Sequence, residues 1–97
     1  MKVKCKHCLP KEGIEVPAFS LSDKNRLFEI KQESSIKTVK FLMDNYKLSH
    51  LESKYITAHI NDRYGKCNRC SFNDLVDEYV NCPKCGALNF NWKVTNK

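Results

Sequence analysis

Two cysteine pairs near the end of the chain, Cys67-Asn68-Arg69-Cys70 and Cys82-Pro83-Lys84-Cys85-Gly86, constrain the fold more than any other feature. A tight turn that presents two thiolates can grip one metal ion with both sulfurs while its backbone N–H groups donate to them. Two such turns, with eleven residues between them, complete a tetrahedral four-thiolate set. With four protein ligands, no position is left for a substrate or an activated water, so a site of this kind is structural.

The need for such a staple follows from size. A chain of 97 residues, 41% apolar and 29% charged, can build one core, but a marginal one. A third pair, Cys5-Lys6-His7-Cys8, brings the cysteines to six with none left over. Six cysteines in a small secreted protein would read as three disulfides. Here the first eleven residues are basic and lack an apolar signal segment, and no run approaches the ~20 apolar residues of a membrane span. The expectation is therefore a reducing cytoplasm, no membrane partner, and thiolates on metal.

The second late knuckle, Cys-Pro-x-Cys-Gly, resembles that of zinc-ribbon and rubredoxin-like proteins, and the resemblance spans roughly residues 65 to 94. It implies zinc as the cofactor, with rubredoxin-like iron as the rival. Ser71 and Phe72 stand where rubredoxins place glycine and an aromatic residue, which favours zinc. The strand Ala87–Trp92 closes this ribbon, with Leu88, Phe90 and Trp92 on one face. That face is either the hydrophobic cover of the site or a stacking platform for bases.

Ahead of it, residues 2–12 read as a short strand entering the first knuckle, followed by the turn Leu9-Pro10-Lys11-Glu12-Gly13. Ile14–Leu21 and Arg26–Gln32 have strand length around Ser22-Asp23-Lys24-Asn25, and Phe28 and Ile30 alternate with charged residues. This predicts a β-hairpin. From Ser34 the apolar period becomes helical, with Ile36, Val39, Leu42, Met43 and Tyr46 on one face and Ser34 or Ser35 as N-cap. Ser49-His50-Leu51-Glu52 has the spacing of a capping box, and a second helix with Leu51, Tyr55 and Ala58 inside, joined by Ile56 and Ile60, is expected to run to about Arg63, ended by Gly65.

The helical pair is similar to two known arrangements. One is the C-terminal domain of the bacterial ribosomal stalk protein, through Leu51-Glu52-Ser53-Lys54 and Ile36-Lys37-Thr38-Val39-Lys40, a shared way of packing two helices. The other is a DNA-reading helix-turn-helix, from which Lys47 departs at the glycine of the turn and Ser53 at a buried apolar position. The architecture expected is α+β: an N-terminal knuckle and β-hairpin and a central helical hairpin over residues 1–64, and a zinc ribbon over 65–97, as one compact unit.

Cys5 and Cys8 cannot saturate zinc alone. His50 and His59 lie nine residues apart, on opposite faces of one helix at ~100° per residue, so both cannot reach one ion. His59, on the buried arc near Tyr55, is the candidate additional ligand, while His7 points away from a metal held by its flanking cysteines. The alternatives are pairing with a later CxxC turn, no metal, or a redox dithiol sharpened by Lys4, Lys6 and His7. The spacing alone matches thioredoxin, since no βαβ context surrounds it. No phosphate loop, H-E-x-x-H or nucleophile elbow occurs, which argues for a non-enzymatic protein.

The formal charge of +6 falls to roughly +4 once a zinc tetrathiolate of about −2 is counted. Lys4, Lys6 and Lys11 crowd the N-terminal knuckle, and Lys37, Lys40 and Lys47 lie on the helical hairpin. They are the candidate phosphate contacts for a nucleic acid or nucleoprotein partner. Asp74, Asp77 and Glu78 make the loop between the late knuckles acidic, which leaves a protein-interaction adaptor as the alternative function.

Overall fold

The structure is a computed structural model that describes residues 1–8 and 10–93; Leu9 of the expected turn lies outside them. It is a mixed α+β fold of three helices and two small antiparallel sheets. Strand β1 (Lys2–Val3) pairs with β2 (Ile14–Glu15) in the register Lys2↔Glu15 and Val3↔Ile14, so the N-terminal knuckle is the loop of a hairpin. Gly13, at φ +81°, closes that loop, and a Cβ there would lie 1.8 Å from the Val3 carbonyl oxygen, so only glycine fits.

The second arm of the expected hairpin is instead helix α1 (Leu21–Glu33). Ser20 caps it, its hydroxyl accepting from the N–H of Asp23, so Ser22–Asn25 is a first helical turn and not a hairpin loop. The alternation around Phe28 and Ile30 covers too few residues to fix a period. Leu27, fully buried, and Ile30, half-buried, fall at i and i+3, the spacing of one helix face.

Ser34 is both the C-cap of α1 and the N-cap of α2 (Ser35–Tyr46), donating its N–H back to Ile30 and accepting from Lys37. Helix α2 buries Thr38 and Leu42, with Phe41 and Tyr46 partly covered. Its inner face is therefore rotated from the one expected, which leaves Ile36 82% and Met43 37% exposed. Lys47 ends α2 at φ 54°, a left-handed conformation that costs a residue with a Cβ about 1–2 kcal/mol. Lys47→Gly is expected to remove that cost, less roughly 0.5–1 kcal/mol for the freer unfolded chain. A net gain of about 0.5–1 kcal/mol should appear as a higher urea midpoint. An unchanged or lower midpoint would show that the Lys47 side chain makes stabilising contacts of its own.

Helix α3 (His50–His59) carries the expected capping box, with Ser49 and Glu52 each accepting from the other's N–H. It buries Tyr55 and Ile56, whereas Leu51 and Ala58 are exposed. It also stops four residues before Arg63, because Ile60 turns extended and bridges Phe90 in parallel while Asn61 N–H donates to the Phe90 carbonyl at 3.1 Å. Gly65, at φ +90°, lies beyond this crossing in the turn that enters the first late knuckle.

Strand β3 (Tyr79–Asn81) pairs with β4 (Leu88–Phe90) in the register Tyr79↔Phe90, Val80↔Asn89 and Asn81↔Leu88. Leu88, Phe90 and Trp92 are at most 3% exposed and join the same core as Val16, Leu27, Leu42 and Ile56. Phe90 and Trp92 stack at 5.8 Å with Phe19 and Tyr79 edge-on to them, so the aromatic face is core and not a platform for bases. A smaller cluster gathers Leu75 and Ala87 around the late cysteines. Among the described residues no helix is long and apolar enough to cross a membrane.

Candidate metal centre

The late knuckles face each other. Their four sulfurs, from Cys67, Cys70, Cys82 and Cys85, lie within 4.8 Å of one another, with Cys67–Cys85 at 3.7 Å and Cys70–Cys82 at 3.6 Å. All six cysteines are free thiols, and these separations far exceed the ~2.05 Å of a disulfide. Four sulfurs each about 2.3 Å from a central ion would stand about 3.8 Å apart. The spacing found is thus that of a tetrathiolate cage, and the donor set can hold a metal ion.

The backbone builds this cage. Cys67 N–H donates to Phe72 O, Cys82 N–H to Ala87 O and Gly86 N–H to Cys82 O, each at 2.8 Å, with Gly86 at φ +82° turning the chain out of the knuckle. Cys67 and Cys82 are buried, and Cys70 and Cys85 half-buried. Burial alone would raise the Cys67 pKa. The N–H groups of Cys70 and Arg69, together with the Asn89 amide at 3.5 Å, outweigh it and bring the thiol down to about 6.

The N-terminal pair does not merge with this cage. Cys5 and Cys8 meet His59 instead, and the three donor atoms lie within 4.8 Å of one another. His59 Nδ1 lies 2.6 Å from the Tyr55 carbonyl, which makes Nδ1 the protonated nitrogen and leaves Nε2 facing Cys8 Sγ at 3.4 Å. Histidines that bind metal are oriented by this kind of backbone contact. Burial holds the His59 pKa below its ordinary value, against the Tyr55 carbonyl and with help from Lys31, so the ring is in the neutral form a metal needs. Tyr55 packs against the ring at 4.5 Å. Its hydroxyl is buried beside the Cys5 backbone. Burial first, then Cys5 and Cys8, raise its pKa.

The other two histidines are elsewhere. His50 opens α3, exposed, nine residues from His59, and His7 Nε2 sits 2.7 Å from the Cys85 carbonyl. That contact, Asn81 Nδ2 donating to Lys4 O at 2.9 Å, and the Lys6 stem lying over Gly86 seat the first knuckle on the last.

Sequence reasoning missed the asparagines that position both groups. Asn68 Nδ2 reaches the His59 and Leu88 carbonyls and Asn61 Oδ1 at 2.9 to 3.2 Å, and its N–H donates to Asn89 Oδ1 at 2.8 Å. Asn91, fully buried, accepts from Gly65 N–H at 2.6 Å and donates to the Asp77 carbonyl at 3.1 Å. The legible hint is the polar residue alternating with Leu88, Phe90 and Trp92 in a strand beside a metal site.

The candidate phosphate contacts are all exposed, on two separate elements. Lys4, Lys6 and Lys11 belong to the N-terminal hairpin loop. Lys37, Lys40 and Lys47 belong to α2 and its C-cap, where Lys37 pairs with Glu33 at 3.3 Å and Lys40 with Asp44 at 3.8 Å. Glu78 of the acidic loop is held by Lys24 at 2.8 Å. A further basic group that the sequence does not single out, Lys31, Arg63 and Lys66, lines one pocket beside Cys67 and Asn68. Compared with known proteins, the chain matches no family model, no curated protein and no solved structure.

Proposed function

We propose that the chain is a zinc-stabilised, non-enzymatic binding module of the zinc-ribbon kind, acting on nucleic acid or a nucleoprotein assembly in the cytoplasm. The spacing of the four late sulfurs supports a closed tetrathiolate metal site, which suits a d¹⁰ ion with no geometric demand beyond the tetrahedron, and Ser71 and Phe72 favour zinc over iron as its occupant. A closed centre has no reactive position, so its contribution is to the fold, and the work of the protein falls to its surface.

For that surface, the α2–α3 turn supports nucleic acid. Lys47 takes the left-handed conformation that glycine supplies in a helix-turn-helix, and Ser53 occupies the buried position six residues on, at 0% exposure. His50, Leu51 and Lys54 are then the exposed side of the second helix. Binding carried by phosphate contacts weakens with salt at a slope set by their number. The expected result is weak retention on duplex or single-stranded nucleic acid at low salt. Replacing Lys4, Lys6 and Lys11 by Ala should flatten the slope by about one for each phosphate no longer neutralised. No retention at low salt, or a slope the triple substitution leaves unchanged, favours the adaptor reading, for which exposed Ile36 and Leu51 offer apolar contacts.

A further inference from the structure

We propose that Cys5, Cys8 and His59 form a second metal site whose fourth position opens to solvent beside Arg69 and accepts a small exogenous anion. This goes beyond the binding-module reading and does not depend on nucleic acid. Among the described residues no fourth Cys, His, Asp or Glu donor lies with these three. His7 is occupied at the Cys85 carbonyl, and His50 stands nine residues along α3, about 13 Å at 1.5 Å per residue. Two thiolates and one imidazole are a set that zinc uses with an exchangeable fourth ligand.

The surroundings fit that use. All three donors line one pocket of ≈ 180 Å³, which they share with Asn68, Arg69 and His7, the last with its Nε2 turned to the Cys85 carbonyl at 2.7 Å. A water molecule's share of liquid volume is about 30 Å³, so there is room for a ligand of a few atoms. Charge separates the two sites: a divalent ion with four thiolates carries about −2 and repels anions, whereas with two thiolates and a neutral imidazole it carries about zero. Arg69 on the rim then biases the choice toward a negative ligand.

The test loads the full chain with Co²⁺ and follows its visible absorption while sodium azide is added. Two equivalents are expected, with azide shifting the bands of one and leaving the sulfur-rich bands of the other unchanged. Arg69→Ala should weaken azide by about fivefold, the scale of one exposed charge contact. His59→Ala should bind one equivalent and His59→Cys two. A single equivalent in the unmodified chain overturns the site. Two equivalents with no azide response overturn the open position, and an azide affinity unchanged in Arg69→Ala overturns the role of the rim. The stoichiometry and azide titration of the unmodified chain decide the proposal even where a His59 variant fails to fold.

Discussion

Stripping the metal with a strong chelator is expected to unfold the chain from Gly65 onward and to carry most of the remaining fold with it. Zinc held by a structural thiolate site contributes an apparent ~10–16 kcal/mol near pH 7, against a total stability of about 5–15 kcal/mol for a small domain. Without the ion, four thiols remain within 4.8 Å of one another, and the cluster built around them buries only Leu75 and Ala87, with Phe72 and Val80 partly covered. The loss spreads because β4 leads from the second late knuckle directly into the larger core through Leu88 and Phe90. Cys82→Ser should do the same, since a hydroxyl does not replace a thiolate on zinc. The measurement is far-ultraviolet circular dichroism alongside metal analysis. Native ellipticity in protein shown to be metal-free would end the structural-zinc assignment.

Phe90→Ala is expected to cost about 3–5 kcal/mol, the range for emptying a fully buried aromatic site. Phe90 has no exposed surface and packs against Tyr79 at 5.2 Å, Trp92 at 5.8 Å and the His59 ring at 6.0 Å. Its carbonyl also accepts from Asn61 N–H, so the residue joins the end of α3 to the late sheet. A loss near the upper figure would consume much of the stability of a small domain. The check is a urea denaturation at fixed zinc. A loss under about 1 kcal/mol would mean that the aromatic cluster relaxes into the gap.

What can be read from the sequence is local. The CxxC turns and the Ser49–Glu52 capping box are short-range chemistry, complete within four residues, and the structure places them as such. The segment Arg26–Gln32 misleads because a few alternating residues suit either a strand or part of a helix, and the deciding interaction lies upstream, at Ser20 and Asp23. The end of α3 depends on Phe90, thirty residues away, so no local rule could place it. His59 is legible as a face of a helix, but its partner Cys8 lies 51 residues earlier. The positioning asparagines leave only the hint of the strand's alternation for the same reason: Asn68 and Asn89 serve carbonyls and sulfur brought together only by the finished fold.

The seating of the first knuckle on the last has a consequence for how this protein is made. Cys5 and Cys8 are made about eighty positions before Leu88, with which their knuckle shares a core. At about 5–20 residues per second, Cys8 waits roughly 3–10 s of synthesis for His59 and roughly 4–16 s for Leu88. The contacts that seat the first knuckle therefore form only after the late sheet has been made. During that interval the early pair is exposed to stray metal or oxidant, which makes the redox state of its surroundings part of the folding pathway.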